Sequence, residues 1–132
     1  MEFSDNEAIY LQIAGYVGEQ VLRRQWPPEE KIPSVRDLAA SLQVNPNTVM
    51  RTYEFLQNQG VVYNKRGIGF FVAPEAVRKV QELRRERFLQ HELPAFFNTM
   101  LLLGIGLPEL TQRYEQFKAA HAIPLIAPPH EN

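Results

Sequence analysis

The side chains best equipped for chemistry in this chain sit at the start of one helix. In VNPNTVMRTYEFLQNQG, Val44 to Gly60, Asn45 and Pro46 read as a cap and first helical residue, followed by Asn47, Thr48 and Arg51. An amide, a hydroxyl and a guanidinium are more than a solvated helix start needs. On a helix that enters a DNA major groove N-terminus first, each has a use. Arg51 can donate twice to guanine O6 and N7, and Asn47 can pair with adenine N6 and N7. Thr48 can reach a phosphate or touch a thymine methyl. The positive end of the helix dipole also favours phosphate. Arg36 and the cap residue Ser34, in IPSVRDLAASL, and Lys65, Arg66 and Gly67, in VVYNKRGIGFFV, extend the same set. Lys65 and Arg66 can enter a minor groove or neutralise phosphate, with Gly67 permitting close approach.

Each residue also has a plainer role. Asn45 is a cap first, Thr48 suits any first turn, Arg36 can pair with a carboxylate, and a Lys-Arg turn is commonly solvated. It is the set, carried on one scaffold, that points to DNA.

An enzyme would have to be built from His91, His121 and His130 with Glu92 and Glu131. No HExxH, GxSxG or Walker-type loop accompanies them. The glycines of RGIGFF follow no βα unit, so they make a turn and no phosphate cradle. No catalytic role, metal or cofactor is expected. Cysteine is absent, which removes disulfides and thiolate ligands and suits a reducing cytoplasm. The start, MEFSDNEAIY, lacks the apolar core of a signal peptide, and no apolar run is long enough to span a bilayer. A cytoplasmic protein with no membrane partner is the expectation.

Net charge is −1, against the basic balance common in DNA-binding domains. The charges are unevenly placed, however. Lys31 to Ala73 holds five cations (Lys31, Arg36, Arg51, Lys65, Arg66) against Asp37 and Glu54, a local balance of +3. A contact surface feels mainly the charges within about 10 Å, so one basic face is compatible with overall neutrality.

The elements that must position these residues follow from periodicity. Ile9, Ile13, Tyr16, Val17 and Val21 recur at helical spacing, predicting a helix from about Asn6 to Arg24 that Trp26-Pro27-Pro28 ends. Ser34 with Asp37 three residues on is a capping-box pattern opening a second helix, with Val35, Leu38, Ala39 and Leu42 facing inward. Only Gln43 and Val44 separate it from Asn45, and Pro46 at the first position of the third helix costs nothing. This is a helix-turn-helix. The third helix buries Val49, Tyr53 and Leu56 and closes at Gly60. The period then becomes two: strands Val61-Val62-Tyr63 and Phe70-Phe71-Val72 flank a turn at Asn64-Lys65-Arg66-Gly67. The result is a winged helix.

After Pro74, Val77, Val80, Leu83, Phe88, Leu93, Phe97, Met100 and Leu101 form an apolar stripe along a long charged helix. Pro94 should kink or break it. Gly104-Ile105-Gly106 makes a turn, and a last helix runs from Pro108 to Ala120. The stripe suits a dimer seam, with Leu93, Phe97, Met100 and Leu101 near it, or a ligand pocket. The expected class is mainly α with a small β-hairpin wing (α+β). The expected division is 1–73 for the winged helix-turn-helix, 74–121 for a helical dimerisation region and 122–132 for an irregular tail.

The stretch IPSVRDLAASLQVNPNTVMRTYEFLQNQGVVYNKRGIGFFV closely resembles the DNA-binding domain of GntR-family bacterial transcription regulators. The resemblance covers about residues 6–74 and rests on PSVRDLA, VNPNTV and RGIGFFV. Most branches place an arginine directly after the TV pair; here Met50 holds that position and the arginine follows as Arg51. The arrangement is similar to the short YtrA-like branch. The resemblance implies a homodimer on an inverted-repeat DNA operator, usually a repressor, dimerised by C-terminal helices, often at operons for ABC transporters. Nothing in the sequence names an effector. A winged helix that binds protein would instead show an apolar or acidic recognition face, which Asn47, Thr48, Arg51, Lys65 and Arg66 contradict.

Overall fold

The first helix is shorter than its periodicity predicts at both ends. In the computed structural model, which describes residues 1–121, α1 spans Ile9–Leu22 and turns Ile13, Val17 and Val21 into the core. The expected range was Asn6 to Arg24. At the front, the Gln12 side chain reaches back. Its Nε2 donates to the carbonyls of Ser4 (2.8 Å) and Glu7 (2.7 Å), and its Oε1 accepts the Ser4 N–H at 2.9 Å. The segment before Ile9 is thus looped over the helix start and does not extend it. At the rear, Arg24 adopts φ 62°, so the helix stops before Trp26 is reached.

Helix α2, Val35–Leu42, begins on Ser34, whose Oγ accepts the Asp37 N–H at 3.0 Å. Gln43 at φ 58° reverses the chain, and the Val44 N–H donates to the Ala39 carbonyl at 3.0 Å. Asn45 then caps α3, Pro46–Asn58, its Oδ1 accepting the Asn47 N–H at 2.7 Å. The corner between the two helices is filled by Leu38, Ala39 and Val49, all buried.

Tyr53 ties α3 to the rest of this unit. It is fully buried, its hydroxyl donates to the Pro33 carbonyl at 2.7 Å, and its ring meets Phe70 edge-on at 4.9 Å. Burial pushes the phenol well above its ordinary pKa, so the group stays a donor. One side chain thereby fixes both the entry to α2 and the hairpin. Tyr53→Phe keeps the ring and orphans the carbonyl, so it should cost about 1 kcal/mol. That lowers the melting temperature by roughly 4–8 °C for a unit of this size, which calorimetry would read. An unchanged melting temperature would remove Tyr53 from this role.

The hairpin pairs β1, Val62–Lys65, with β2, Gly69–Val72, antiparallel in the register Val62↔Val72, Tyr63↔Phe71, Asn64↔Phe70, Lys65↔Gly69. The ladder therefore runs further than expected and Lys65 belongs to a strand. The tip is Arg66-Gly67-Ile68, closed by the Ile68 N–H donating to the Lys65 carbonyl at 2.9 Å. Gly67, at φ 77°, fills the turn position that demands a left-handed residue. A further extended segment, which no local pattern announces, lies along β2 through an isolated bridge. Lys31 bridges Phe71, and the Ile32 N–H donates to the Phe70 carbonyl at 3.0 Å.

Helix α4, Ala76–Arg87, starts inside this core, because Ala76 and Val80 are buried with it. The first compact unit accordingly ends at Gln81 and not at the boundary expected at Ala73. The second unit begins at Glu82. Within it a π turn, Phe88–Glu92, precedes α5, Leu93–Leu103, and α6 spans Leu107–Ala120. The break expected at Pro94 takes the form of that π turn, in which the Leu93 N–H donates to the Phe88 carbonyl. Proline lacks an N–H and its ring collides with a carbonyl four residues back, a mismatch that the widened turn in front of Pro94 takes up. Gly104, at φ 69°, ends α5, and the chain bends by 120° before α6. No residue of the π turn, α5 or α6 is buried. Among the described residues no single helix is long and apolar enough to cross a membrane. The tail assigned to 122–132 lies outside the described residues.

Candidate nucleic-acid interface

With Val49, Thr52, Tyr53 and Leu56 buried, α3 exposes Asn47, Met50, Arg51 and Glu54 on its opposite face. Asn47 uses its backbone N–H on the Asn45 cap, and no protein partner engages its side chain among the described residues. Thr48 is half-buried, and its N–H donates to the Asn45 carbonyl at 2.9 Å. Arg51 is exposed, with its guanidinium carbon 3.9 Å from the centroid of the Tyr10 ring on α1. It lies over an aromatic face and makes no ion pair within the described residues. Met50, 39% exposed, sits on the same face as Asn47 and Arg51.

At the start of α2 the oxygen of Ser34 is occupied as a cap, whereas Arg36 is exposed and has no carboxylate partner among the described residues. Its surroundings contrast with those of four other cations. Arg23 pairs with Glu19, Arg78 with Glu75, Arg113 with Glu109 at 3.1 Å, and Lys118 with Glu115 at 3.5 Å. Exposed pairs of this kind add about 0–1 kcal/mol to stability, but they cancel local field. Arg36, Arg51, Lys65 and Arg66 have no ion pair among the described residues, so their fields on α2, α3 and the hairpin are not cancelled in this way.

The hairpin presents its cations differently from the expected tip pair. Lys65 Nζ lies 4.4 Å from the Phe71 centroid, and Phe71 stacks on Tyr63 at 5.7 Å. The Tyr63 hydroxyl donates to Glu29 Oε1 at 2.8 Å, a bond that raises the phenol's pKa. Arg66, Gly67 and the exposed Ile68 form the tip itself. A Cβ on Gly67 would meet nothing within 4 Å, so the turn is open to an approaching backbone. Beside it, the Lys31 chain crosses Gly69, its Cε 2.9 Å from where a Cβ there would sit. Gly69 thus admits a further cation to the hairpin.

Four residues of this surface were not singled out as site residues from the sequence. Lys31 was counted only as charge, Met50 only as a departure from the family pattern, and Tyr10 and Ile68 not at all. Helical spacing from Asn47 and Arg51 would have flagged Met50. No local signal exists for Tyr10 or Lys31, whose partners lie far along the chain.

Of the alternative catalytic set, three residues are described. His91 and Glu92 are exposed in the π turn, and His121 stacks on Phe117 at 4.1 Å. His130 and Glu131 lie outside the described residues. Among the described residues no three His, Cys, Asp or Glu side chains come together as metal ligands would.

In the second unit, Leu93 and Met100 are half-buried while Phe97 and Leu101 are exposed, Leu101 by 81%. Leu102, Leu103, Leu107, Tyr114 and Phe117 add to the exposed apolar surface.

Residues 9–72 match the family profile for bacterial regulatory proteins of the gntR family. The chain is 35% identical over 116 residues to the Bacillus subtilis HTH-type transcriptional regulator YhcF, covering 88% of this chain and 94% of the relative. It is 38% identical over 111 residues to the B. subtilis HTH-type transcriptional repressor YtrA, covering 84% and 85%. The crystal structure of a GntR-family transcriptional regulator from Bacteroides thetaiotaomicron is similar with a TM-score of 0.73 and 48% identity, over 86% of this chain and 98% of that one.

Proposed function

We propose, since the chain belongs to the GntR family of bacterial regulatory proteins, that this DNA-binding transcriptional regulator works as a homodimeric repressor on an inverted-repeat operator. The observation that carries the reading is the division of labour between the units. The first presents Arg36, Arg51, Lys65 and Arg66 on α2, α3 and the hairpin, all exposed and none ion-paired among the described residues. The second has apolar helices in which no residue is fully buried. A lone winged helix makes too few contacts to select one genomic site, and two copies on a dyad double them. A second copy would cover Phe97, Leu101 and their neighbours. Repression is drawn from the likeness to YtrA, whose name states that activity. A transporter operon is the target that the YtrA-like resemblance implies.

Arg36 would grip the backbone, Asn47, Thr48 and Arg51 would face base edges, and Lys65 and Arg66 would contact backbone at the flank. Selecting genomic fragments bound by the purified protein, followed by footprinting, tests the reading. Two dyad-related half-sites, centred one helical turn or a multiple apart, are expected. A single asymmetric footprint occupied by one copy would overturn it.

The wing contributes a separate expectation. Lys65→Ala with Arg66→Ala should weaken binding to every duplex and lower the salt slope by roughly two units per protomer, about one for each phosphate that is no longer neutralised. Titration at several salt concentrations measures this, and an unchanged slope would take the wing off the backbone.

A further inference from the structure

Arg51 would need to reach DNA from a long, flexible side chain, and the structure shows what holds it. Its guanidinium carbon lies 3.9 Å from the centre of the Tyr10 ring. That ring is itself anchored: Phe55 meets it edge-on at 6.1 Å, and the Tyr10 carbonyl accepts the buried Thr52 hydroxyl at 2.8 Å. A cation over an aromatic face is held by the ring's quadrupole, an attraction that engages the face of the guanidinium. The N–H donors lie in the guanidinium plane and are left for a ligand. No hydrogen bond or ion pair within the described residues uses them. Arginine otherwise surrenders considerable rotamer freedom when it binds.

We propose that Tyr10, on α1 and outside the helix-turn-helix, is the positioning residue for Arg51. It holds the guanidinium over its ring with its donors free, so α3 offers DNA an arginine whose freedom is already restricted. The proposal rests on the DNA-binding reading of α3 and adds a residue to it. The ring touches no base; it acts through Arg51.

The test uses the full chain and the operator duplex obtained by fragment selection, with a scrambled duplex of equal composition. Wild type, Tyr10→Phe, Tyr10→Leu, Arg51→Ala and the Tyr10→Leu/Arg51→Ala double variant are titrated by fluorescence anisotropy at one salt concentration. Tyr10→Leu should weaken operator binding roughly two- to fivefold for each protomer of the dimer, the scale of an exposed cation–π contact. Binding to the scrambled duplex should not change. Tyr10→Phe retains the ring and should restore full affinity. In the Arg51→Ala background Tyr10→Leu should have no further effect, a result that a merely structural loss would not give. Should Tyr10→Leu fail to fold, Tyr10→Met refills the gap with a flexible side chain and gives the same readout. Tighter operator binding by Tyr10→Leu would mean the ring restrains Arg51, and an additive loss in the double variant would mean it only packs; either overturns the inference. Full operator affinity in Arg51→Ala overturns it too while leaving the family reading intact. Failure to select any operator fails that reading first.

Discussion

Ending the chain at Gln81 is expected to leave a folded monomer whose operator affinity falls by at least roughly a thousandfold, to the level of non-specific binding. The cut follows the structure. Ala76 and Val80 are buried in one cluster with Ile13, Val17 and Tyr53, so the winged helix keeps its whole core through Gln81. Ending at Ala73 would strip Val80 from that core and expose what it covers. Losing a buried valine costs about 1.5–3 kcal/mol, enough to confuse a binding defect with unfolding. The removed part holds the exposed Leu101, Leu102, Leu103 and Phe97 that we assign to the partner copy. Specific affinity should therefore collapse while weak, salt-sensitive binding survives. Sedimentation and titration of the shortened chain measure both halves of the statement. A dimer with full operator affinity would leave the second unit needing another task, and a ligand pocket would become the leading one.

Arg51→Ala is expected to cut discrimination between operator and scrambled DNA by at least roughly thirtyfold while the protein still folds. A bidentate contact to guanine is worth about 1–3 kcal/mol, and a dimer carries two such arginines. The stacking on Tyr10, removed with the side chain, contributes only about 0.5–1 kcal/mol at an exposed site. That is too little to unfold a unit whose core does not include Arg51. The base contact is therefore the larger of the two effects, and binding should change far more than stability. Competition titrations with both duplexes, alongside thermal unfolding, separate them. Operator selectivity equal to wild type would remove Arg51 from base reading and leave Asn47, Thr48 and Met50 as the candidates on that face.

The sequence by itself determined the features controlled by residues a few positions apart. Ser34 caps α2 through Asp37, Asn45 caps α3 through Asn47, and Gly67 provides the left-handed turn of the wing. Each is an exchange between a short side chain, or its absence, and backbone within reach, so type and spacing suffice. The burial of Val49, Tyr53 and Leu56 was legible for the same reason, since period alone decides which face of a helix is apolar. The tertiary structure decided the rest. Lys31 joins the hairpin through Phe71, Tyr53 holds the Pro33 carbonyl, and Arg51 lies on Tyr10. In each case the partners are twenty or more positions apart, and no periodicity links them. The end of the first unit at Gln81 belongs with these, because Ala76 and Val80 are claimed by a core formed from earlier helices. Packing and cation–π attraction fall off within a few ångströms of space and carry no record of separation along the chain, so only the folded arrangement brings them into being.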